Sequence, residues 1–242
     1  GEPADVPSVA HGEEREHGQD PRPAWTEAER CFRRAVQSDP TYLFAHSNLA
    51  ELYNAMAAYS LSRGLSSAAE LEKALEAGQQ ALALDSQFYS ALNHVALAEL
   101  TSARYLIDTG GDPRPALERA FQHLNRSLSI NATFGRTGFY RAMGHLLAAV
   151  HALREGRDPS AVLQAGRRAL VEAYRNSPGC ADCRLVGAQL NLAEATWARQ
   201  QGRTGLPQLQ EARAEARRAV ELHPYYEAHL ELARASWRLA QA

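Results

Sequence analysis

The chain has 242 residues, of which 45% are hydrophobic and 22% are charged, a composition that excludes a disordered protein. Its 26 lysines and arginines nearly balance its 28 aspartates and glutamates, so no net field favours nucleic acid or a membrane surface as a partner. No apolar run approaches the roughly 18 residues of a membrane span, and the chain does not open with the basic-then-apolar pattern of a signal peptide. We therefore expect a cytoplasmic protein. The start at Gly1 and the use of arginine for every base except Lys73 favour a piece of a longer, bacterial protein.

Several independent landmarks recur every 46 residues. Related endings, AVQSDP, ALALDS, SLSINA, AYRNSP and AVELHP, begin at 35, 81, 127, 173 and 219. Glycines with the same spacing are Gly18, Gly64, Gly110, Gly156 and Gly202. Aromatic residues in the same register are Tyr42, Phe88, Phe134 and Tyr226, with Cys180 in the fourth place. A period shared by independent columns indicates a repeat architecture, and the two DPRPA segments lie two periods apart.

Each unit contains two stretches with apolar residues at i, i+3, i+4 and i+7, which indicate helices, and no stretch alternates like a strand. In chain order, we predict a flexible linker over 1–17 and one repeat domain over 18–242. The domain is expected to contain a lone second helix at 21–39, hairpins at 42–85, 88–131, 134–177 and 181–222, and a terminal helix at 225–241. The predicted fold is all-α, a solenoid of antiparallel helical hairpins.

The expected helix ends have recognisable chemistry. Asp112 and Asp158 precede prolines and can accept hydrogen bonds from the free N–H groups of a helix start. Ser67 with Glu70 has the spacing of a capping box. The periodic glycines lie between the two helices of a unit, where a left-handed residue ends a helix at low cost.

The terminal helix is expected to have no partner after it. It carries apolar or aromatic residues on one side, at Tyr226, Leu230, Ala233 and Trp237. Polar residues Glu231, Arg234 and Arg238 could give it the soluble outer face that a capping repeat needs. We favour a cap over a surface for self-association.

Small residues recur at fixed positions in both helices. They are Ala28, Ala74, Ala120, Gly166 and Ala212, then Ala35, Ala81, Ser127, Ala173 and Ala219 in the second helix, and Ala50, Ala96, Ala142 and Ala188 in the first. Proline closes the units at Pro40, Pro178 and Pro224. This pattern resembles the tetratricopeptide repeat (TPR) family from Asp20 to Ala242, although the usual unit has about 34 residues. The longer unit matches the period of HEAT and armadillo repeats, which lack this alanine spacing.

The turn sequence GGDPRPALERA further resembles the long repeats in the C-terminal regions of bacterial, notably myxobacterial, serine/threonine protein kinases. The chain contains no glycine-rich nucleotide loop, HRD-type loop or DFG segment. A kinase domain would therefore lie outside these residues.

The motif Cys180-Ala-Asp-Cys183 has a spacing used in redox exchange and in zinc sites. Register instead favours packing, since Cys180 stands in the aromatic column and Cys183 in the column of Ala45, Ala91 and Thr137. The nine histidines form no H-x-x-x-H arrangement. We expect no cofactor, no metal and no catalytic site.

The TPR resemblance implies a concave groove lined by the first helix of each unit. The groove-facing positions carried over are Ser47, Glu51, Asn54, Asn93, Leu97, Leu100, Phe139, Met143, Leu185, Gln189 and Leu192. Their apolar and amide side chains suit an extended peptide or a partner helix. The alternative is that Leu97, Leu100 and Met143 pack against the lengthened neighbouring helices. Ser47 and Glu51 stand where the basic carboxylate clamp of chaperone-binding members has Lys and Asn, so that clamp is not expected.

Taken together, these features predict a non-catalytic protein-binding scaffold, a docking or regulatory region of a larger bacterial signalling protein such as a Ser/Thr kinase. The alternative is self-association through the exposed terminal helices. A redox or metal role for the two cysteines is a third hypothesis.

Overall fold

A computed structural model describes residues 20–224 and 226–241, which form helices and turns with no strand. The helices are α1 (Arg22–Ser38), α2 (Leu43–Ser62), α3 (Ala68–Leu84), α4 (Tyr89–Thr109), α5 (Arg114–Ile130), α6 (Gly135–Arg154), α7 (Ser160–Asn176), α8 (Ala181–Gln200), α9 (Leu206–Leu222) and α10 (Tyr226–Ala240). The predicted all-α fold is confirmed. The expected linker at 1–17, Gly18 and the side chain of Tyr226 lie outside the described residues.

The helices alternate between two layers. We call α2, α4, α6, α8 and α10 the A helices, and α1, α3, α5, α7 and α9 the B helices. Each A helix from α2 to α8 packs most closely on the B helix that follows it, and consecutive A helices also contact each other. Consecutive B helices make no comparable contact within the described ranges. The A helices therefore form the inner layer of the solenoid.

Left-handed glycines mark the turn of each hairpin, as predicted. Gly64, Gly110, Gly156 and Gly202 have φ of 70°, 81°, 66° and 72°. The N–H of the next residue then bonds five residues back, for example Gly111 N–H to the Leu106 carbonyl oxygen at 2.7 Å. This bond satisfies a carbonyl that the helix leaves open, and a side chain at the left-handed position would strain the backbone.

The helix starts confirm part of the predicted capping. The Asp112 Oδ1 accepts from the Arg114 backbone N–H at 3.0 Å, and the Asp158 Oδ1 accepts from that of Ser160 at 2.8 Å. The capping box at Ser67 is wrong. Ser67 stands in the column of Pro113 and Pro159, which is buried, so its hydroxyl points inward and finds no hydrogen-bond partner.

The small residues lie where the helices approach most closely. In the A helices, Ala50, Ala96, Ala142 and Ala188 are all 0% exposed. In the B helices, the same is true of Ala74, Ala81, Ala120, Ala173, Ala212 and Ala219. We call these positions the alanine columns. Gly166 replaces alanine in one of them, and an added Cβ there would meet the Leu190 side chain at 3.1 Å, so even an alanine at this crossing would require its neighbours to shift slightly.

Candidate binding groove

Six of the predicted groove residues lie inside the molecule. They are Ser47, Asn54, Asn93, Leu100, Leu185 and Leu192. A buried side chain cannot contact a ligand that lies along the surface. These six residues therefore do not line the groove, contrary to the expectation. The A helices touch one another directly, and these positions face the neighbouring helices.

The buried polar members of that set make internal hydrogen bonds. Ser47 Oγ lies 3.1 Å from His94 Nδ1, and Asn54 Nδ2 donates to the His94 carbonyl oxygen at 2.8 Å. Asn93 Nδ2 donates to Ser127 Oγ at 2.7 Å. These bonds tie α2 to α4 and α4 to α5, which is a structural role.

The remaining five predicted residues are partly exposed: Glu51, Leu97, Phe139, Met143 and Gln189. Four of them share one column at 46-residue intervals. We call Glu51, Leu97, Met143 and Gln189 the central column. It runs across four consecutive A helices, with an acid at one end, apolar side chains in the middle and an amide at the other end.

Phe139, the fifth partly exposed residue, packs into the apolar core on α6. Its ring lies 5.3 Å from that of Tyr140, and it packs against the apolar clusters on both sides of α6. A ring shared by two clusters joins consecutive repeats. Burial raises the pKa of the Tyr140 phenol to about 12, so that this group stays neutral beside the charges described next.

A charged cluster beside the column was missed by the sequence analysis. Arg136 Nη1 on α6 lies 3.0 Å from Glu51 Oε1 on α2, so the pair reaches across α4. Beneath it, His94 Nε2 lies 3.9 Å from Glu51 Oε2. Asp182 on α8 is near enough to contribute to the raised pKa of Arg136, after Tyr140 and Glu51. We call Arg136, Glu51 and Asp182 the charged cluster.

The missed residues had a readable signal. Arg136 is seven residues before Met143, and Asp182 is seven before Gln189. Residues seven apart lie on the same face of a helix. The predicted groove face of each A helix, when it is extended by two turns toward the start of the helix, includes Arg136 and Asp182.

Aromatic rings line the starts of the first three complete hairpins. The members are Tyr42, Phe44, Phe88, Tyr89 and Phe134. Successive ring centroids are 5.8, 5.3, 6.3 and 5.0 Å apart, within the usual range for contacting rings. The series stops at the fourth hairpin, where Cys180 replaces the aromatic residue.

The two cysteines of that hairpin are joined by a disulfide. Register favoured a packing role and did not decide whether the two sulfurs are bonded. Cys183 does pack as its column predicts, since it is 0% exposed, whereas Cys180 caps α8 and is partly exposed. No group of three or more His, Cys, Asp or Glu side chains in the described ranges could hold a metal ion.

The terminal helix α10 has an unusual composition for its layer. Arg234 stands where Ala50, Ala96, Ala142 and Ala188 stand in the other A helices, and its guanidinium lies 2.5 Å from Glu231. Trp237 is 68% exposed. A charged side chain in an alanine column opposes the close approach of a further B helix.

None of the described helices is both long enough and apolar enough to cross a bilayer.

Similarity to known proteins is found in structure and not in sequence. No protein-family model and no curated protein sequence matches the chain. Solved structures do match. TTC0263, a thermophilic TPR protein of Thermus thermophilus, aligns with a TM-score of 0.60 and 19% identity over 88% of this chain and 91% of its own.

A human IFIT1 dimer with m7Gppp-AAAA aligns with a TM-score of 0.63 and 16% identity, over 89% of this chain and 42% of its own. YrrB, a TPR protein with an unusual peptide-binding site, aligns with a TM-score of 0.29 and 17% identity, over 84% of this chain and 97% of its own. The alignment with TTC0263, together with the two-layer arrangement of the helices, shows that the chain has a TPR-like helical repeat fold.

Proposed function

We propose that the chain is a non-catalytic scaffold that binds an extended peptide or a partner helix along the central column. The observation that most directly supports this proposal is that Leu97 and Met143 are partly exposed on adjacent A helices of a closely packed inner layer. Partly exposed apolar side chains in a row along packed helices suit a ligand whose own apolar residues repeat along its length.

The charged cluster would orient such a ligand. Glu51 at one end of the row is paired with Arg136, which reaches it from α6, whereas Gln189 Nε2 at the other end donates to Glu231 Oε1 at 3.3 Å. The two ends therefore differ in charge and in hydrogen-bonding groups. Polar groups of this kind fix direction and register, while apolar contact supplies most of the affinity.

A nucleic acid is a poorer fit to the same surface. IFIT1 was solved with a capped RNA, and its fold is similar. Here the charged cluster holds one arginine against two carboxylates, whereas binding to a phosphate backbone needs several unopposed cations.

At a finer level, we propose that the scaffold serves as a docking or regulatory region of a larger bacterial signalling protein, such as a Ser/Thr kinase. The support for this is the resemblance of the turn sequence GGDPRPALERA to the repeat regions of such kinases.

The function can be tested with a library of random peptides displayed on phage. We expect selection against the wild-type protein to enrich peptides with apolar residues at regular spacing, and expect binding to be lost in Met143→Glu. A matched control is Val171→Glu, since Val171 is 55% exposed on the outer layer. Failure to enrich any peptide, or equal binding by both variants, would count against the groove.

Self-association through the terminal helix is the second candidate, favoured by the exposed Trp237. Arg234 opposes it, because it blocks regular continuation of the stack beyond α10. Light scattering over a range of concentrations distinguishes the two. A monomer at all concentrations removes this candidate, whereas a dimer that Trp237→Ala converts to monomer supports it.

A further inference from the structure

We propose that Cys180 and Cys183 form a thiol–disulfide exchange site, in which Cys180 reacts with an external disulfide and Cys183 resolves the product. The site is independent of the central column. Three observations support the proposal: the sequence motif, the bond between the two sulfurs, and the unequal exposure of the two residues.

The disulfide contributes little to holding the fold together. It joins the cap and the third residue of a single helix, α8, so it connects no separate elements. A disulfide stabilises mainly by restricting the unfolded chain, and the restriction is smallest for the shortest loops. The equivalent positions in the preceding hairpins hold Tyr42 with Ala45, Phe88 with Ala91 and Phe134 with Thr137. Those hairpins form without the bond.

The surroundings of Cys180 favour its thiolate form once the bond is reduced. Its sulfur lies 3.1 Å from the backbone N–H of Cys183, which donates toward it. It also stands at the N-terminus of a 20-residue helix, where the aligned peptide dipoles stabilise negative charge. The thiolate is the nucleophile in disulfide exchange.

The two cysteine residues differ sharply in exposure. Cys180 is partly exposed, and the preceding Gly179 is exposed with open space around it. Cys183 is 0% exposed, and its carbonyl oxygen accepts a hydrogen bond from the Tyr174 hydroxyl at 3.1 Å. An incoming molecule can therefore reach only Cys180, and Cys183 is held next to it.

The exchange balances with a small disulfide such as oxidised glutathione. The Cys180 thiolate attacks one sulfur of that disulfide, forming a mixed disulfide and releasing one glutathione thiolate, which is then protonated. Cys183 gives up its proton, and its thiolate attacks the Cys180 sulfur and releases the second glutathione. Two protein thiols are oxidised to one disulfide, and one glutathione disulfide is reduced to two thiols. A dithiol reductant runs the sequence backward.

The test uses the full 242-residue chain with Cys31→Ser, since Cys31 is an exposed free thiol. In this background, Cys183→Ser should trap a glutathione adduct at residue 180, identified by mass spectrometry of proteolytic peptides. Cys180→Ser should remain unmodified while folded, because Cys183 is buried. An adduct on Cys183, or no adduct on Cys180, would overturn the proposal.

A second measurement separates an exchange site from a structural bond. The reaction of Cys180 with a chromogenic aromatic disulfide at pH 7 should be at least about tenfold faster in the folded Cys183→Ser variant than in the same variant unfolded in urea, because of the stabilised thiolate. The melting temperature of the Cys31→Ser protein should be similar before and after reduction. A purely structural bond would give no rate enhancement and a lower melting temperature on reduction.

Discussion

The alanine column of the A helices and the central column lie on the same helices, yet they change differently along the chain. Ala50, Ala96, Ala142 and Ala188 are identical in four repeats and are fully buried. One residue further on, Glu51, Leu97, Met143 and Gln189 differ in every repeat and are partly exposed. Packing requires one small residue at each helix crossing, so the first column is constant. The second is free to vary, and its sequence is available for recognition.

The largest expected effect on stability comes from a substitution in the alanine column of the A helices. Ala142→Leu adds three carbons at a site with no exposed surface, and overpacking of this kind costs about 1–3 kcal/mol or more of unfolding free energy. The neighbouring Met143→Leu conserves volume at a partly exposed site and should cost less than about 1.5 kcal/mol. Urea denaturation measures both. Equal losses would mean that the two columns have the same role.

A second prediction compares two amides that the sequence assigned to one groove. Asn93 is buried and bonded to Ser127, so Asn93→Ala should lower the unfolding free energy by about 1–3 kcal/mol. Gln189 is partly exposed, and Gln189→Ala should stay within about 0.5 kcal/mol of wild type. Thermal and urea unfolding of both variants provide the measurement. A costly Gln189→Ala with a neutral Asn93→Ala would reverse our assignment.

A third prediction concerns pH. Burial lowers the pKa of His145 to about 4, with Arg141 and Arg168 contributing, compared with an ordinary value of about 6.5. The unfolded chain therefore binds more protons between these values, and stability should fall as pH decreases from about 6.5 to 4. Urea midpoints at pH 7 and pH 5 should differ less in His145→Gln than in wild type. An unchanged difference would show that other groups control this pH range.

The smallest expected effect on stability lies in the charged cluster. The Arg136 side chain is 40% exposed, and ion pairs near the surface contribute about 0–1 kcal/mol. Arg136→Ala should therefore unfold at nearly the wild-type urea concentration. The same variant should change the affinity of a selected peptide, measured by isothermal titration calorimetry. A large loss of stability without a change in binding would make Arg136 a structural residue.

The sequence predicts the repeat and its turns well because both depend on local chemistry. Left-handed glycines, aspartates before prolines and buried alanines each have a physical reason to recur with every unit. Ser67 does stand at the N-cap position of its helix, but its side chain makes no capping bond because the column that it shares with Pro113 and Pro159 is buried. Local signals fail where the tertiary environment decides the outcome.

The groove could be predicted only in part, because exposure depends on how closely consecutive A helices pack. Asn54 and Asn93 carry amide groups of the kind that can bind a peptide. In the structure, both side chains instead make hydrogen bonds inside the protein. The Glu51–Arg136 pair joins residues 85 apart in sequence, across an intervening helix. The repeat register placed both cysteines correctly but could not show that their sulfurs are bonded.

The most direct test of the central claim is the dissociation constant of a library-selected peptide for Met143→Glu compared with Val171→Glu. We predict at least about a tenfold loss for Met143→Glu, equivalent to about 1.4 kcal/mol, and wild-type affinity for Val171→Glu, with both variants unfolding like wild type. Equal affinity for the two variants would contradict a binding role for the central column.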